Sequence, residues 1–437
     1  MGDASTIYAL SSGAGRAGVA VIRVSGPAAH ASLVQMVKSP PLPRYGAFRT
    51  IRHPRTHEII DGAVVLWFEA RSSETGEDVV EFQVHGSRAV ITAMFAALKE
   101  IDGCRLAEPG EFARRAFENG KLDLAQVEGL ADLIDAETES QRRQAVAQTA
   151  GALSKLYESW RSRLIEIAGL VEAAIDFSDE GDVAASAVSD ARQRASVLSD
   201  EIARHLDDGH RGEILREGFR VALLGAPNAG KSSLLNALAR RDAAIVSAEA
   251  GTTRDVIEVR LDLGGLPVIV SDTAGIREAA SDIEREGIRR SLAVAREADL
   301  VVWLSETCDS NIPQGISRET SLAICSKADL ARESNGSDLR VSALTGEGLD
   351  RLIGEISRRA HTAVGASSEP ALTRVRHRQN LEAALESIRA FLGGNVEAVE
   401  LRAEDVRRAS HALGRITGRV DVEDVLDQIF SRFCIGK

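Results

Sequence analysis

A glycine-rich loop that begins at Gly225 carries the clearest chemistry of this chain. It reads Gly225-Ala-Pro-Asn-Ala-Gly-Lys-Ser232 and follows the apolar run Phe219-Arg-Val-Ala-Leu-Leu224. A strand, this loop and a helix together make the phosphate-binding P-loop pattern. Backbone N–H groups of such a loop surround phosphates, its lysine reaches the β- and γ-phosphates, and its hydroxyl ligates Mg²⁺. We therefore predict that Lys231 and Ser232 hold a nucleoside triphosphate and its Mg²⁺.

Two polar loops further along the chain carry residues that would respond to a γ-phosphate. Gly251-Thr-Thr-Arg-Asp255 supplies Thr253, whose hydroxyl could ligate Mg²⁺ only while a γ-phosphate is present. Asp272-Thr-Ala-Gly275 follows an apolar strand. Its aspartate is predicted in the Mg²⁺ shell, and its glycine N–H against the γ-phosphate. Such loops are typical of a hydrolase that changes shape with its nucleotide.

Two later motifs predict which base is bound. Ser326-Lys-Ala-Asp329 ends in a carboxylate that could accept two N–H donors of guanine, which adenine does not offer. Ser342-Ala-Leu344 resembles the loop that closes over the base. Ser326 stands where guanine-reading motifs carry Asn, and its side chain is shorter. We therefore predict weaker but still guanine-selective binding.

The predicted GTP-binding residues lie in five motifs that follow one another. They are Asn228, Ala229, Gly230, Lys231, Ser232, Ser233, Ser247, Ala248, Glu249, Ala250, Gly251, Thr252, Thr253, Asp272, Thr273, Ala274, Gly275, Ser326, Lys327, Ala328, Asp329, Ser342, Ala343 and Leu344. Ile276 and Arg277 follow Gly275, where Ras-like enzymes place a glutamine that orients water. A monovalent cation near Asn228 and Ser247 could supply the charge that an arginine finger supplies elsewhere.

Length and composition limit what kind of protein could carry this site. The chain has 437 residues, 44% hydrophobic and 27% charged, enough for two to four globular domains. It shows no signal peptide and no apolar run near the roughly 20 residues of a membrane helix. Its four cysteines form no C-x-x-C pair, which argues against a zinc site and a disulfide framework and favours a reducing cytoplasm. A net charge of -12 argues against a protein that coats nucleic acid.

Hydrophobic periodicity divides the chain into four parts. Residues 1–120 mix strand-like runs with turns and one helical stretch, Ser87 to Lys99, as in an α+β domain. Residues 121–213 have the spacing of long amphipathic helices, which returns in residues 363–437. Residues 214–362 alternate apolar strands with helices, which predicts a parallel α/β sheet. The simplest topology is an α/β domain inserted into one helical domain.

Four further segments resemble the MnmE family, also called TrmE, of bacterial and organellar tRNA-modification GTPases. They are Ala14-Gly-Arg-Ala-Gly-Val-Ala-Val-Ile-Arg-Val-Ser-Gly26, Thr75-Gly-Glu-Asp-Val-Val-Glu81, the stretch from Ala107 to Leu124, and Phe433-Cys-Ile-Gly-Lys437. The similarity covers nearly the whole chain. It implies a multidomain protein: an α+β N-terminal domain for tetrahydrofolate binding and dimerisation, an all-α helical domain in two parts, and an inserted α/β Ras-like G domain.

The resemblance also implies an activity. Together with a flavin-dependent (FAD) partner subunit, a K⁺-dependent GTPase would add a carboxymethylaminomethyl-type group to carbon 5 of the wobble uridine of certain tRNAs. The one-carbon unit would come from 5-formyl- or 5,10-methylene-tetrahydrofolate. GTP hydrolysis would drive dimerisation of the G domains and a conformational change. Members of the family are cytoplasmic homodimers that form a heterotetramer with the partner and do not use a membrane.

Individual residues take roles from the same resemblance. Folate would contact Arg23, Glu81, Lys121 and Lys437. Glu284 would orient the attacking water, and Cys434 is a candidate functional thiol. Ser232 and Thr253 would ligate Mg²⁺. K⁺ would be held by Asn228, Ser247, Glu249 and Thr252.

Two other functions remain open from the sequence. A switch GTPase of ribosome assembly would usually carry a basic RNA-binding appendage, whereas residues 363–437 hold 11 basic and 11 acidic side chains. A plain folate aminomethyltransferase would leave the inserted GTPase domain unexplained.

The negative charge is concentrated in one part of the chain. Residues 1–120 hold 13 basic and 13 acidic side chains, whereas residues 121–213 hold 10 and 19, a net charge of -9. We therefore expect the acidic helices to face solvent. We expect tRNA to contact mainly the partner subunit or one of two arginine sets, Arg374, Arg376 and Arg378 or Arg407, Arg408, Arg415 and Arg419.

Overall fold

The computed structural model describes residues 5–177, 181–208, 210–245, 257–272, 294–307, 312, 315–330, 339–365, 370–395, 398–420, 423–431 and 433–436. The chain folds as two compact units, Met1–Ala131 with Gly414–Lys437, and Asp132–Leu413. Each unit has its own hydrophobic core. Among the described residues, no helix is both long and apolar enough to cross a bilayer.

The first unit is built on a mixed sheet. Its strands are β1 (Thr6–Leu10), β2 (Ala17–Ser25), β3 (Ala47–Arg52), β4 (Ile59–Phe68), β5 (Val79–Gly86) and β6 (Cys104–Leu106), in the order β3-β4-β5-β2-β1-β6. Helices α1 (Ala29–Met36) and α2 (Arg88–Lys99) pack on one face. Because side chains alternate along a strand, Ile22 and Val24 enter that core while Arg23 points to the other face.

The C-terminal segment completes the first unit. Helix α3 (Glu111–Glu118) and the start of α4 (Leu124–Ile134) pack against α13 (Glu423–Phe430). The shared core contains Ala113, Leu124, Val127, Phe430 and Phe433. The backbones of Pro109 and Ile435 form an isolated β-bridge. Residues more than 300 positions apart in sequence therefore depend on one another for burial.

The second unit begins and ends with helices. They are α5 (Glu139–Thr149), α6 (Ala152–Asp176), α7 (Gly181–Leu206) and α8 (Arg211–Glu217), followed after the sheet by α11 (Val375–Gly393) and α12 (Val399–Thr417). Apolar residues at helical spacing along α6, such as Leu164, Ile167 and Val171, are buried, as the amphipathic pattern predicted. A capping box between Thr138 and Gln141 begins α5.

A mixed α/β sheet is inserted between those two groups of helices. Its elements are β7 (Phe219–Gly225), α9 (Lys231–Ala239), β8 (Ile257–Leu263), β9 (Leu266–Asp272), β10 (Leu300–Ser305), β11 (Ser321–Cys325), β12 (Leu339–Arg340) and α10 (Leu349–Val364). The strand order is β12-β11-β10-β7-β9-β8. The prediction of a parallel sheet is wrong at one edge, because β8 runs antiparallel to β9. Gly264 and Gly265, both at positive φ, make the tight turn that this pairing needs.

One carboxylate links the chain where it enters and leaves this insertion. Asp132 accepts a hydrogen bond from Arg216, at the end of α8, at 3.0 Å and another from Arg374, which precedes α11, at 2.6 Å. Gln148 of α5 accepts a hydrogen bond from Thr373 at 3.1 Å. The entry and the exit of the inserted domain are thus held at the same point of the helical domain.

These contacts correct two expectations about charge. Arg374 forms an ion pair with Asp132, and Arg378 forms ion pairs with Asp208 at 2.9 Å and Glu213 at 3.0 Å. Both arginines are largely buried, so they are poorly placed for the tRNA contact that the sequence suggested. The same pairs turn part of the acidic excess of residues 121–213 inward rather than toward solvent. Arg407 and Arg408 stay exposed beside Glu404.

The redox state of Cys325, at the end of β11, also differs from what the sequence predicted. The sequence predicted no disulfide framework, but this buried cysteine is disulfide-bonded. Cys104 and Cys434 are free thiols.

Replacing Gly110 should show how tightly the C-terminal segment is packed. Gly110 has φ +70°, and a Cβ there would overlap the carbonyl oxygen of Phe430. Gly120 is a matched control, because it has φ +66° but no heavy atom within 4 Å of such a Cβ. We expect Gly110→Ala to destabilise the chain by roughly 2–4 kcal/mol and Gly120→Ala by about 1–2 kcal/mol.

Thermal unfolding of the full chain measures the difference, and limited proteolysis should release the C-terminal segment sooner from the Gly110 variant. Equal losses for the two variants would show that the close contact with Phe430 adds nothing.

Candidate functional site

The predicted P-loop lies between β7 and α9. Lys231, the first residue of α9, is buried, and its Nζ donates to the carbonyl oxygens of Gly225 at 2.9 Å and Ala226 at 3.0 Å. Burial lowers the pKa of this lysine, and the nearby charge of Asp272 partly opposes the shift. Asn228 is exposed and adopts φ +66°, which is uncommon for a residue with a side chain. The loop therefore presents a lysine and an amide on a closely folded backbone.

Two oxygen groups predicted to serve Mg²⁺ lie side by side. The hydroxyl of Ser232 donates to a carboxylate oxygen of Asp272 at 2.5 Å. Ser232 follows the P-loop lysine, and Asp272 ends β9, the strand next to β7. Mg²⁺ prefers hard oxygen ligands, usually one or two protein groups completed by waters and phosphates. The carboxylate of Asp272 therefore orients the hydroxyl that is predicted to ligate Mg²⁺.

The predicted base-reading motifs surround one cavity beside the P-loop. It has a volume of about 210 Å³, and its lining includes Ala229, Gly230, Ser326, Asp329, Ala343 and Leu344. Ser342 donates its hydroxyl proton to Asp329 at 2.5 Å and accepts the N–H of Thr345 at 3.1 Å. Asp329 is therefore held in place by the loop that is predicted to close over the base.

Ser326 is the one departure in this cavity, and its side chain is incompletely satisfied. Its Oγ is buried and has no hydrogen-bond partner among the described residues. Lys327 turns away in a left-handed conformation, and its Nζ pairs with Glu306 at 2.7 Å. The position that an asparagine amide would use to span the base and the P-loop is therefore served only by a short hydroxyl.

Several predicted site residues lie outside the described residues. They are Ser247, Ala248, Glu249, Ala250, Gly251, Thr252, Thr253, Thr273, Ala274, Gly275, Glu284 and Lys437. Their roles stay predictions.

The first unit brings together two of the predicted folate contacts. Arg23 and Glu81 are neighbours across β2 and β5, and the guanidinium donates to one carboxylate oxygen at 3.0 and 3.1 Å. Arg23 also pairs with Glu74 at 2.9 Å and lies over the ring of Phe112 at 5.8 Å. The pair therefore forms a charged site on the sheet face opposite α1 and α2.

Lys121 and the C-terminal tail lie elsewhere in the same unit. Lys121 donates to the carbonyl oxygen of Arg71 at 2.8 Å. Ser11, just after β1, donates to the carbonyl oxygen of Gly436 at 2.9 Å. Cys434 is exposed two residues before that contact. The tail is thus fixed at the end of β1 with its thiol accessible.

A buried ion network near Arg23 was not predicted from sequence. Arg115 pairs with Glu77 and Glu111, each at 3.0 Å, and Arg105 also pairs with Glu111. Burial alone would raise the pKa of Glu111, but hydrogen bonds from Arg105, the Glu108 N–H and Arg115 lower it. All these residues except Arg105 lie in the family-like segments, yet only their three-dimensional pairing shows that they fix α3 to the loop before β5.

Substitution of Ser326 should change the affinity for GTP. In Ser326→Asn the amide regains a hydrogen bond to the base edge, and we expect the Kd of GTP to fall about 5- to 10-fold. Ser326→Ala is the matched control: its hydroxyl has no described partner, so GTP affinity should stay within about 2-fold. Titration with GTP and with ATP measures both affinity and selectivity. Weaker GTP binding by the asparagine variant would contradict this assignment.

Models of two known protein families match nearly the whole chain. Residues 6–121 match the model of the GTP-binding protein TrmE N-terminus, and residues 124–434 match that of the MnmE helical domain. The two matches together span the first unit, the helices and the inserted sheet.

Relatives of similar length carry one shared name. The chain is 54% identical to a tRNA modification GTPase MnmE of Parvibaculum lavamentivorans over 99% of this chain and 100% of the relative. It is 51% identical to that of Rhizobium johnstonii over 99% of both chains, and 49% identical to that of Methylobacterium radiotolerans over the full length of both. This chain therefore belongs to the MnmE family of tRNA-modification GTPases.

Proposed function

We propose that this chain is a K⁺-dependent GTPase that modifies the wobble uridine of certain tRNAs. With a flavin-dependent partner subunit it adds a carboxymethylaminomethyl-type group to carbon 5, using a tetrahydrofolate one-carbon unit. Family membership supports the proposal, and the observation that carries it is the pairing of Ser232 with Asp272 behind a P-loop lysine. That pairing is what a hydrolase of nucleoside triphosphates needs for Mg²⁺.

The nucleotide site of this proposal uses Lys231, Ser232 and Asp329. When bound, Mg²⁺ would neutralise charge between the phosphates, while Lys231 would turn from the loop carbonyls toward the β- and γ-phosphates. Burial lowers the pKa of Lys231, and an anion bound beside it would favour its charged form. Asp329 would accept the guanine N–H groups. Glu284 is proposed to orient the attacking water.

K⁺ is proposed to bind at Asn228 with Ser247, Glu249 and Thr252. The exposed Asn228 supports this assignment, because an amide oxygen on a left-handed loop position is presented outward beside the phosphates. The ion would supply positive charge where arginine fingers act in other enzymes, and it would favour dimerisation of the G domains.

Hydrolysis should therefore depend on the monovalent cation. We expect GTP turnover in KCl to exceed that in NaCl by at least about 10-fold, and Asn228→Ala to abolish this difference while GTP affinity changes little. Turnover measured at matched ionic strength tests this. Arg240→Ala, at the exposed C-terminal end of α9, is a control that should keep the K⁺ response. Equal rates in the two salts would contradict the proposed K⁺ role.

The one-carbon chemistry is proposed for the face that carries Arg23 and Glu81. A carboxylate such as Glu81 suits the paired N–H donors of a pterin, and its hydrogen bonds from Arg23 hold it in a fixed orientation. Lys121 and Lys437 are proposed to contact the folate, and the exposed thiol of Cys434 is a candidate reactive group. Folate would supply the one-carbon unit when bound.

Glu81→Gln should separate the two activities. The amide cannot serve both N–H donors, so we expect folate affinity to fall at least about 10-fold and modified wobble uridine to disappear. GTP turnover should stay unchanged, because Glu81 lies in the first unit. Mass spectrometry of wobble nucleosides from a strain carrying only this variant is the test. Glu404→Gln, which removes another arginine-paired surface carboxylate, is the control. Normal modification in the Glu81 variant would reject the folate role.

The assembly and domain limits belong to the same proposal. The parts are residues 1–120, 121–213, 214–362 and 363–437, with the G domain as the third. We propose a cytoplasmic homodimer that forms a heterotetramer with the flavin-dependent partner. Light scattering of the chain alone and mixed with the partner measures both states.

A further inference from the structure

A strongly basic surface on the first unit has no role in the site described above. It is formed by residues 38–57, which include β3 and its flanking loops, and is called the β3 surface here. These residues contain Lys38, Arg44, Arg49, Arg52 and Arg55, two histidines and no acidic residue. In fact no Asp or Glu stands between Asp3 and Glu58, in a chain with 65 acidic residues and a net charge of -12.

The arginines of the β3 surface are not neutralised in the way those of the helical domain are. Arg49 donates to the carbonyl oxygens of Ser39 and Phe48, and Arg52 to that of His57, but carbonyl groups leave the positive charge intact. Among the described residues, no carboxylate pairs with Arg44, Arg49 or Arg52. Arg55 pairs with Glu100, which is distant in sequence, at 3.5 Å. The positive charge of this surface is therefore available to a negatively charged ligand.

Exposed rings stand among these arginines. Tyr45 is 68% exposed and Phe48 is 69% exposed, although aromatic residues make only 4% of the chain. Of the described residues, the other large aromatic side chain that is exposed is Phe177. Two solvent-facing rings beside unpaired arginines mark an interaction site rather than scattered surface.

The loop before β3 holds these groups in a fixed position. It contains three prolines, Pro40, Pro41 and Pro43. Arg44 adopts φ +65°, and its N–H donates to the carbonyl oxygen of Trp67 on β4 at 2.7 Å. A rigid loop loses little conformational entropy when it binds.

The geometry points to an RNA single strand as the occupant. Unpaired bases stack on exposed aromatic rings, and arginines bind the neighbouring phosphates. A second copy of this chain would bring the same uncompensated positive charges together, which opposes a symmetric contact. We propose that the β3 surface holds the unpaired nucleotides of a tRNA anticodon loop, with a base against Tyr45 or Phe48 and phosphates against Arg44 and Arg52. This inference rests on the tRNA-modifying function.

Salt-dependent binding tests the phosphate contacts. The probe is an anticodon stem-loop RNA with uridine at the wobble position, titrated with the full-length chain at several KCl concentrations. The variant Arg44→Gln with Arg52→Gln should weaken binding about 10-fold and reduce the slope of log K against log salt by about 1.4, since each single-strand phosphate contact contributes about 0.7. Arg143→Gln with Arg194→Gln, exposed arginines of α5 and α7 that pair with Glu139 and Glu166, should leave both quantities unchanged. Equal effects of the two double variants would overturn the proposal.

The stacking contact needs a separate readout. With 2-aminopurine in the loop of the RNA, Tyr45→Phe should retain the fluorescence quenching of the wild-type chain, whereas Tyr45→Leu should lose it and bind about 5- to 50-fold more weakly. Phe177→Leu is the control and should match the wild type. Quenching retained by both Tyr45→Leu and Phe48→Leu would overturn the stacking assignment.

Two further measurements separate the possible outcomes. Light scattering must show the same mass for the variants and the wild type, because a change in mass would identify the β3 surface as an interface between copies and overturn the proposal. GTP turnover should stay normal in every variant. In cells, normal wobble modification by the Arg44 and Arg52 double variant would overturn this surface while leaving the proposed function intact.

Discussion

The ion pairs around Asp132 are the contact on which the second unit depends. A single carboxylate oxygen receives Arg216, just before the inserted sheet begins, and Arg374, just after it returns. Separating either end of the insertion from the helices breaks a largely buried ion pair, which is costly because one charged partner is left alone. The P-loop, the Ser232–Asp272 pair and the base cavity all lie beyond this attachment. The ion pairs of Asp132 therefore limit how far these groups can move relative to the helices.

The role of a charged residue in this chain depends on the ion pairs that it forms, and the net charge of its part of the chain does not reveal them. Asp132, Asp208 and Glu213 belong to the most acidic stretch, yet each accepts an arginine from the helices that follow the insertion. A count by residue blocks could not show this, because the paired residues are about 165 to 242 positions apart. On the β3 surface the opposite holds, since Arg44, Arg49 and Arg52 lie close in sequence and pair with no carboxylate among the residues that the structure describes. Arginine is therefore structural where it pairs with a carboxylate, and it is available for other contacts on the β3 surface.

The sequence predicted what is local and missed what is long-range. The P-loop, the strand before it and the helix after it form from adjacent residues, so Lys231 and Ser232 could be placed without a structure. The fold class and family also followed from contiguous motifs. The antiparallel strand β8 was missed because its polar alternation, Ile-Glu-Val-Arg-Leu-Asp-Leu, was hidden beside stronger apolar runs. The Glu77–Arg115–Glu111 network and the orphaned hydroxyl of Ser326 depend on burial, which spacing does not reveal.

The packing of Phe430 and Phe433 against Ala113 and Leu124 has a consequence for synthesis on the ribosome. The sheet of the first unit is translated first, but the apolar cluster at α3 and α4 is completed by residues of the C-terminal segment, which are translated after the entire second unit. Until they emerge, the apolar side of α3 and the start of α4 remain uncovered in the nascent chain. The domain that begins the chain is thus the one whose folding is completed last. It needs protection from premature association for the time that the ribosome takes to build the inserted sheet.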